Sequence, residues 1–101
     1  MHKRANVMFK DKIATYPKAR KLYTRKSIDA ENALSILVEA RKWAGITQRQ
    51  IAEKTNLCTK TISLIEKNDL FNSKYSPSLG SLMRYAAAFE FKLEIKFVPI
   101  K

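Results

Sequence analysis

Between Thr47 and Ser63, hydrogen-bonding side chains recur in two short groups. Thr47, Gln48 and Arg49 open one segment, and Thr59, Lys60, Thr61 and Ser63 open the next. The two groups supply a guanidinium, an ammonium, an amide and hydroxyls. Such groups donate to phosphate oxygens and to the acceptor atoms on base edges. Lys60 suits guanine acceptors, Thr59 a thymine methyl, and Thr61 and Arg49 a phosphate. Other chemistry lacks material. The chain has one histidine, at position 2, two glycines, no Cys and His cluster, no Gly-rich phosphate loop, and acids that are scattered rather than paired. No catalytic residue, metal site or cofactor is therefore expected.

Two short helices with a tight turn must carry these side chains. Thr47 and Gln50 form a capping box, with Ile46 and Ile51 at the flanking staple positions. The first helix is expected to end at Thr55-Asn56, since Asn tolerates the left-handed conformation, and Leu57 then returns to the core. From Cys58 the helical period resumes. Ile62 and Ile65 point inward, while Thr59, Lys60, Ser63 and Lys67 lie on the opposite side. Upstream, Ser27 or Asp29 can cap a helix that runs to Gly45, with Leu34, Leu37, Val38, Ala40 and Ala44 as its apolar surface. Downstream, Pro77-Ser78 opens a closing helix with Leu79, Leu82, Met83, Ala86 and Phe89 on one side. The connection from Asn68, DLFNSKYSPS, is read as a loop in which Phe71 and Tyr75 cover the core edge, with Lys74 and Tyr75 also within reach of a phosphate backbone.

The residues Thr47, Gln48, Ile51 and Ala52, followed by Thr59 and by Thr61 to Glu66, resemble the phage-repressor (Cro and cI, or XRE) helix-turn-helix family. The resemblance extends over roughly Ala33 to Phe89. It implies an all-α bundle that reads double-stranded DNA through the helix beginning near Thr59. It also implies that Gln48 braces the base-reading side chains and that Arg41 pairs with Glu66, which keeps that carboxylate away from phosphate.

Size and charge fit a nucleic-acid partner. The 101 residues suffice for one domain with appendages, and 20 Lys or Arg against 9 acids leave a net charge of +11. No apolar run is long enough to span a bilayer, and Met1-His2-Lys3-Arg4 is not followed by a signal-like segment. A cytoplasmic protein with no membrane partner is expected. The single cysteine, Cys58, cannot form an internal disulfide and reads as a small helix-start residue.

Outside the central domain, placed at 33–90, two segments stand apart. Residues 1–32 form a basic arm with nine Lys or Arg and three acids. In it Phe9, Ile13 and Tyr16, then Ala19, Leu22 and Tyr23, recur at helical spacing around Pro17. The arm can pack on the domain or dock another protein. In residues 91–101, Phe91, Leu93, Ile95 and Phe97 alternate with Lys92, Glu94 and Lys96 before Pro99, the pattern of a strand with one apolar face. A strand needs a partner. Asn6 to Phe9 is the nearest internal candidate, and pairing with the same strand of a second protomer is the simpler solution. A homodimer would place two reading helices about 34–36 Å apart and imply a palindromic operator.

Taken whole, arm, helix-turn-helix and a final strand ending LEIKFVPI resemble the antitoxin of a HigBA-type or HipB-like toxin-antitoxin module. That resemblance implies a co-encoded, RelE-like toxin as partner and repression of the shared operon. Phe9, Ile13, Tyr16, Leu22 and Tyr23, or the acids Asp29, Glu31 and Glu39, would contact the toxin. A stand-alone phage-type repressor and a basic RNA-binding module are the alternatives.

Overall fold

The computed structural model describes residues 3–67 and 76–100. Asn68, Phe71, Lys74 and Tyr75, to which the sequence assigned loop roles, lie outside the described residues. Six helices are present among those described: α1 Lys3–Ala14, α2 Pro17–Leu22, α3 Ala30–Trp43, α4 Gln48–Thr55, α5 Thr59–Glu66 and α6 Leu79–Ala88. The first two pack on each other and on α3; α4 packs on α5 and α6, and α5 also meets α3 and α6.

Local signals set most of the boundaries. At α4, Gln50 N–H donates to Thr47 Oγ1 at 3.1 Å, and Gln50 Oε1 accepts from Thr47 N–H at 2.8 Å, completing the capping box. Ile46 and Ile51 flank it, both buried. Ser78 Oγ accepts from Ser81 N–H at 3.1 Å and opens α6. Asp29, rather than Ser27, occupies the N-cap of α3, and Cys58 that of α5, each without a side-chain capping bond.

Three helix ends close through a left-handed residue. Gly45 (φ 77°) follows α3, Asn56 (φ 61°) follows α4, and Glu90 (φ 65°) follows α6. In the first, Ile46 N–H donates to Arg41 O and Gly45 N–H to Lys42 O; in the last, Phe91 N–H donates to Ala86 O and Glu90 N–H to Ala87 O. Both have the Schellman pattern, which satisfies carbonyls the helix leaves open. Gly and Asn suit that backbone, whereas Glu pays for its Cβ there.

One core runs through the helices. Ile13, Ala19, Leu22, Leu34, Leu37, Ala40, Ile46, Ile51, Ile62, Ile65, Tyr85 and Phe89 are buried in a single cluster, with Phe9, Tyr16, Tyr23, Leu57 and Phe91 packed against it. The arm is therefore part of the domain. Of the two readings of the arm, packing on the domain accounts for Ile13, which is fully buried, and for Leu22, which is nearly so. The ring centroids of Phe9 and Phe89 are 6.5 Å apart, and Tyr23 stacks on Phe91 at 4.5 Å while its hydroxyl donates to Phe89 O at 2.9 Å. Burial is the main reason the Tyr23 phenol is pushed well above its ordinary range.

The C-terminal segment differs from its sequence reading. Among the described residues there is no strand, and 91–100 carry no regular structure. Asn6 to Phe9, the internal candidate for a pairing strand, lies inside α1. Phe91, expected at a dimer interface, is instead half-buried on Tyr23, and Leu93 is half-buried too. Beyond them Ile95 (55 % exposed), Phe97 (100 %), Val98 (76 %) and Ile100 (98 %) stand in solvent. Backbone alternation supplies two faces but no ladder, and the described residues of one chain offer the segment no strand edge to join.

Candidate nucleic-acid interface

A buried ion pair fixes α4 and α5 relative to the rest of the domain. Arg41 Nε donates to Glu66 Oε2 and Arg41 Nη2 to Glu66 Oε1, both at 2.8 Å, a bidentate fork in which both side chains are almost fully enclosed. The third arm of the guanidinium, Nη1, donates to Ile46 O at 2.7 Å, in the turn between α3 and α4. Glu66 also accepts from Tyr85 Oη at 2.8 Å and from Gln48 Nε2 at 3.0 Å. Four donors thus fill the capacity of one carboxylate. Burying two charges is costly without such satisfaction, so the four-donor arrangement is what makes the pair tolerable.

The four donors belong to three residues, each on a different helix. Arg41 ends α3, Gln48 begins α4 and Tyr85 lies on α6, while Glu66 ends α5. The helix expected to read bases is therefore anchored at its C-terminus by three neighbours, leaving its N-terminus free to meet a ligand. Tyr85 was not singled out in the sequence, because only the packing of α6 on α5 brings its hydroxyl to Glu66. Desolvation, followed by the adjacent Glu66 charge, holds the Tyr85 phenol far above its ordinary value, so it remains a donor.

The expected contact residues fall into two groups. Thr59 and Lys60 begin α5 and are exposed; Thr61 and Ser63 are half-buried beside them. Thr47 and Arg49 are exposed at the start of α4, where Gln48 is half-buried with its amide nitrogen committed to Glu66. Because a carboxylate only accepts, the amide oxygen of Gln48 and its second N–H are left for other partners. From Thr59 to Glu66 the axis of α5 rises by roughly 10 Å at about 1.5 Å per residue. The major groove is about 12 Å wide. One short helix can therefore present Thr59 and Lys60 to base edges while the N–H groups, Thr47 and Arg49 at the α4 start meet a phosphate at the rim.

Cys58 sits at the same edge, exposed, with its sulfur 3.2 Å from Thr61 Oγ1. That hydrogen bond is the first cause of a thiol pKa below the ordinary value, with backbone N–H groups adding to it. Among the described residues no group of His, Cys, Asp and Glu could hold a metal ion, and no helix is long and apolar enough to cross a membrane.

A capped helix, a left-handed turn at Asn56 and a second helix with an exposed polar start define a helix-turn-helix DNA-binding domain. The helix-turn-helix family model matches residues 37–95, more than half of the chain, and the protein belongs to that family. Neither curated proteins nor solved structures gave a match. Family membership carries sequence-specific DNA binding and transcription regulation as the general function of the domain. The matched span excludes α1 and α2.

Proposed function

We propose that the protein is a DNA-binding antitoxin that represses its own operon and captures a co-encoded, RelE-like toxin of the kind found in HigBA-type or HipB-like modules. The observation that carries the DNA half is the Arg41–Glu66–Gln48–Tyr85 network, which spends four side chains on holding α5 while Thr59 and Lys60 at its start remain unencumbered. Thr47, Gln48, Arg49, Thr59, Lys60, Thr61 and Ser63 form the DNA surface in this reading. The exposed apolar tail, with Ile95, Phe97, Val98 and Ile100, is the kind of surface that another chain covers, which supports a second protomer as partner.

In this reading the tail pairs with its copy in a second protomer. Two-fold, antiparallel pairing is isologous, gives each tail the ladder it lacks, and matches a palindromic operator. Of the arm's apolar set, Ile13 and Leu22 are core, so a toxin meets only the outer edges of Phe9, Tyr16 and Tyr23 and the exposed Asp29, Glu31 and Glu39. Tyr16 already donates to Glu39 at 3.0 Å and packs against Trp43, itself 59 % exposed, so these three form one continuous patch.

The test is co-expression with the product of the adjacent open reading frame, followed by affinity capture and gel retardation of the chain's own promoter. Capture of a small basic protein together with promoter retardation is the expected result. Retardation without capture leaves a stand-alone repressor; RNA binding without promoter retardation would overturn the reading altogether.

A further inference from the structure

The basic arm has an outer face that neither the core nor the helix-turn-helix explains. Between Pro17 and Ile28 there are five cations, Lys18, Arg20, Lys21, Arg25 and Lys26, and no acid. All five are exposed, while Ala19 and Leu22 on the opposite side of α2 are buried. Among the described residues an ion pair joins Lys10 of the arm to Glu90, at 3.7 Å, and none is formed by these five. Residues 1–32 hold nine cations and three acids, so six of the chain's eleven net charges lie in about a third of its length. Like charges gathered on one rigid face repel each other unless a polyanion meets them.

Placement favours duplex DNA over other polyanions. Tyr16, the N-cap of α2, has its ring centroid 5.7 Å from that of Trp43, in the last turn of α3. Trp43 precedes Thr47, the cap of α4, by four residues, a span of less than about 15 Å even when fully extended. The start of the cationic helix is thereby tied close to the phosphate-binding end of α4. We infer that the exposed face of α2 and its C-terminal extension is a second phosphate-contacting surface, which grips the DNA backbone flanking the site read by α5. This rests on the DNA-binding reading above and extends it to residues outside the family match.

Salt dependence of binding tests it. Each phosphate contact contributes about 0.9 to the slope of log K against log salt. The full chain is titrated by fluorescence anisotropy against a random-sequence duplex about four helical turns long, between about 50 and 200 mM salt. The triple variant Lys18→Gln, Lys21→Gln, Arg25→Gln is expected to flatten the slope by about 2–3, at about 0.9 per lost contact. Lys18→Arg, Lys21→Arg, Arg25→Lys is expected to keep the wild-type slope. An unchanged slope in the Gln variant, with wild-type duplex binding intact, overturns the inference and leaves the DNA reading standing. An unchanged slope with lost binding to phosphatidylserine vesicles assigns the face to a lipid surface and overturns it equally. If the wild-type chain ignores duplex DNA even at low salt, both readings fall.

Discussion

The end of α5 and the tail after Phe91 solve the same physical problem in opposite ways. At Glu66, a charge that would be expensive to bury receives four donors from three neighbouring helices, and nothing is left over. At Ile95, Phe97, Val98 and Ile100, apolar side chains that water disfavours stand largely in solvent, and among the described residues their backbone forms no ladder. A single chain completes the first arrangement. The second is open, and in the proposed reading it is the surface that a second protomer covers.

Breaking the completed side is expected to have the largest effect. Glu66→Ala leaves Arg41 buried without its partner, so urea unfolding should show a loss of about 3–5 kcal/mol. A loss below about 1 kcal/mol would mean that water reaches the guanidinium. Ile13→Ala extends the comparison to the arm: as a core residue it is expected to cost about 2–5 kcal/mol, against almost nothing if α1 were merely docked. Tyr85→Phe retains the ring and removes one hydrogen bond to a charged acceptor, for an expected cost of about 1.5–3 kcal/mol. Its raised phenol pKa has a further consequence. The unfolded tyrosine begins to lose its proton near pH 10 and the folded one does not, so this contribution is fully present below about pH 10 and declines as pH rises above it. Tyr85→Phe should therefore be less sensitive to alkali than the wild type.

The open side should respond in the reverse manner. Truncation after Lys92 keeps Phe91 on Tyr23 and removes the exposed apolar residues, so the thermal midpoint should barely move while light scattering shifts to a monomer. A truncated chain that remains dimeric would take the tail out of that role; a large fall in the midpoint would show that the tail belongs to the domain after all.

Much of this was legible in the sequence where the determinants are local. The Thr47 and Gln50 box, Gly45, Asn56 and the Ser78 cap each depend on a few adjacent residues, and each stands where the pattern put it. Arg41 with Glu66 followed from family resemblance, since 25 residues separate them and no local rule joins them. Glu90 escaped notice because its side chain is a poor match for a left-handed backbone. Helical spacing revealed the apolar face of the arm but not what covers it, for periodicity gives a face a direction and not a partner. The tail shows the same limit, since alternation specifies a strand only once a second strand is at hand.

The central claim is that the start of α5 reads DNA, and the double variant Thr59→Ala, Lys60→Ala tests it most directly. Both side chains are exposed, so the circular dichroism spectrum is expected to stay unchanged while retardation of the chain's own promoter disappears. Promoter retardation equal to wild type by the same folded variant would contradict the account.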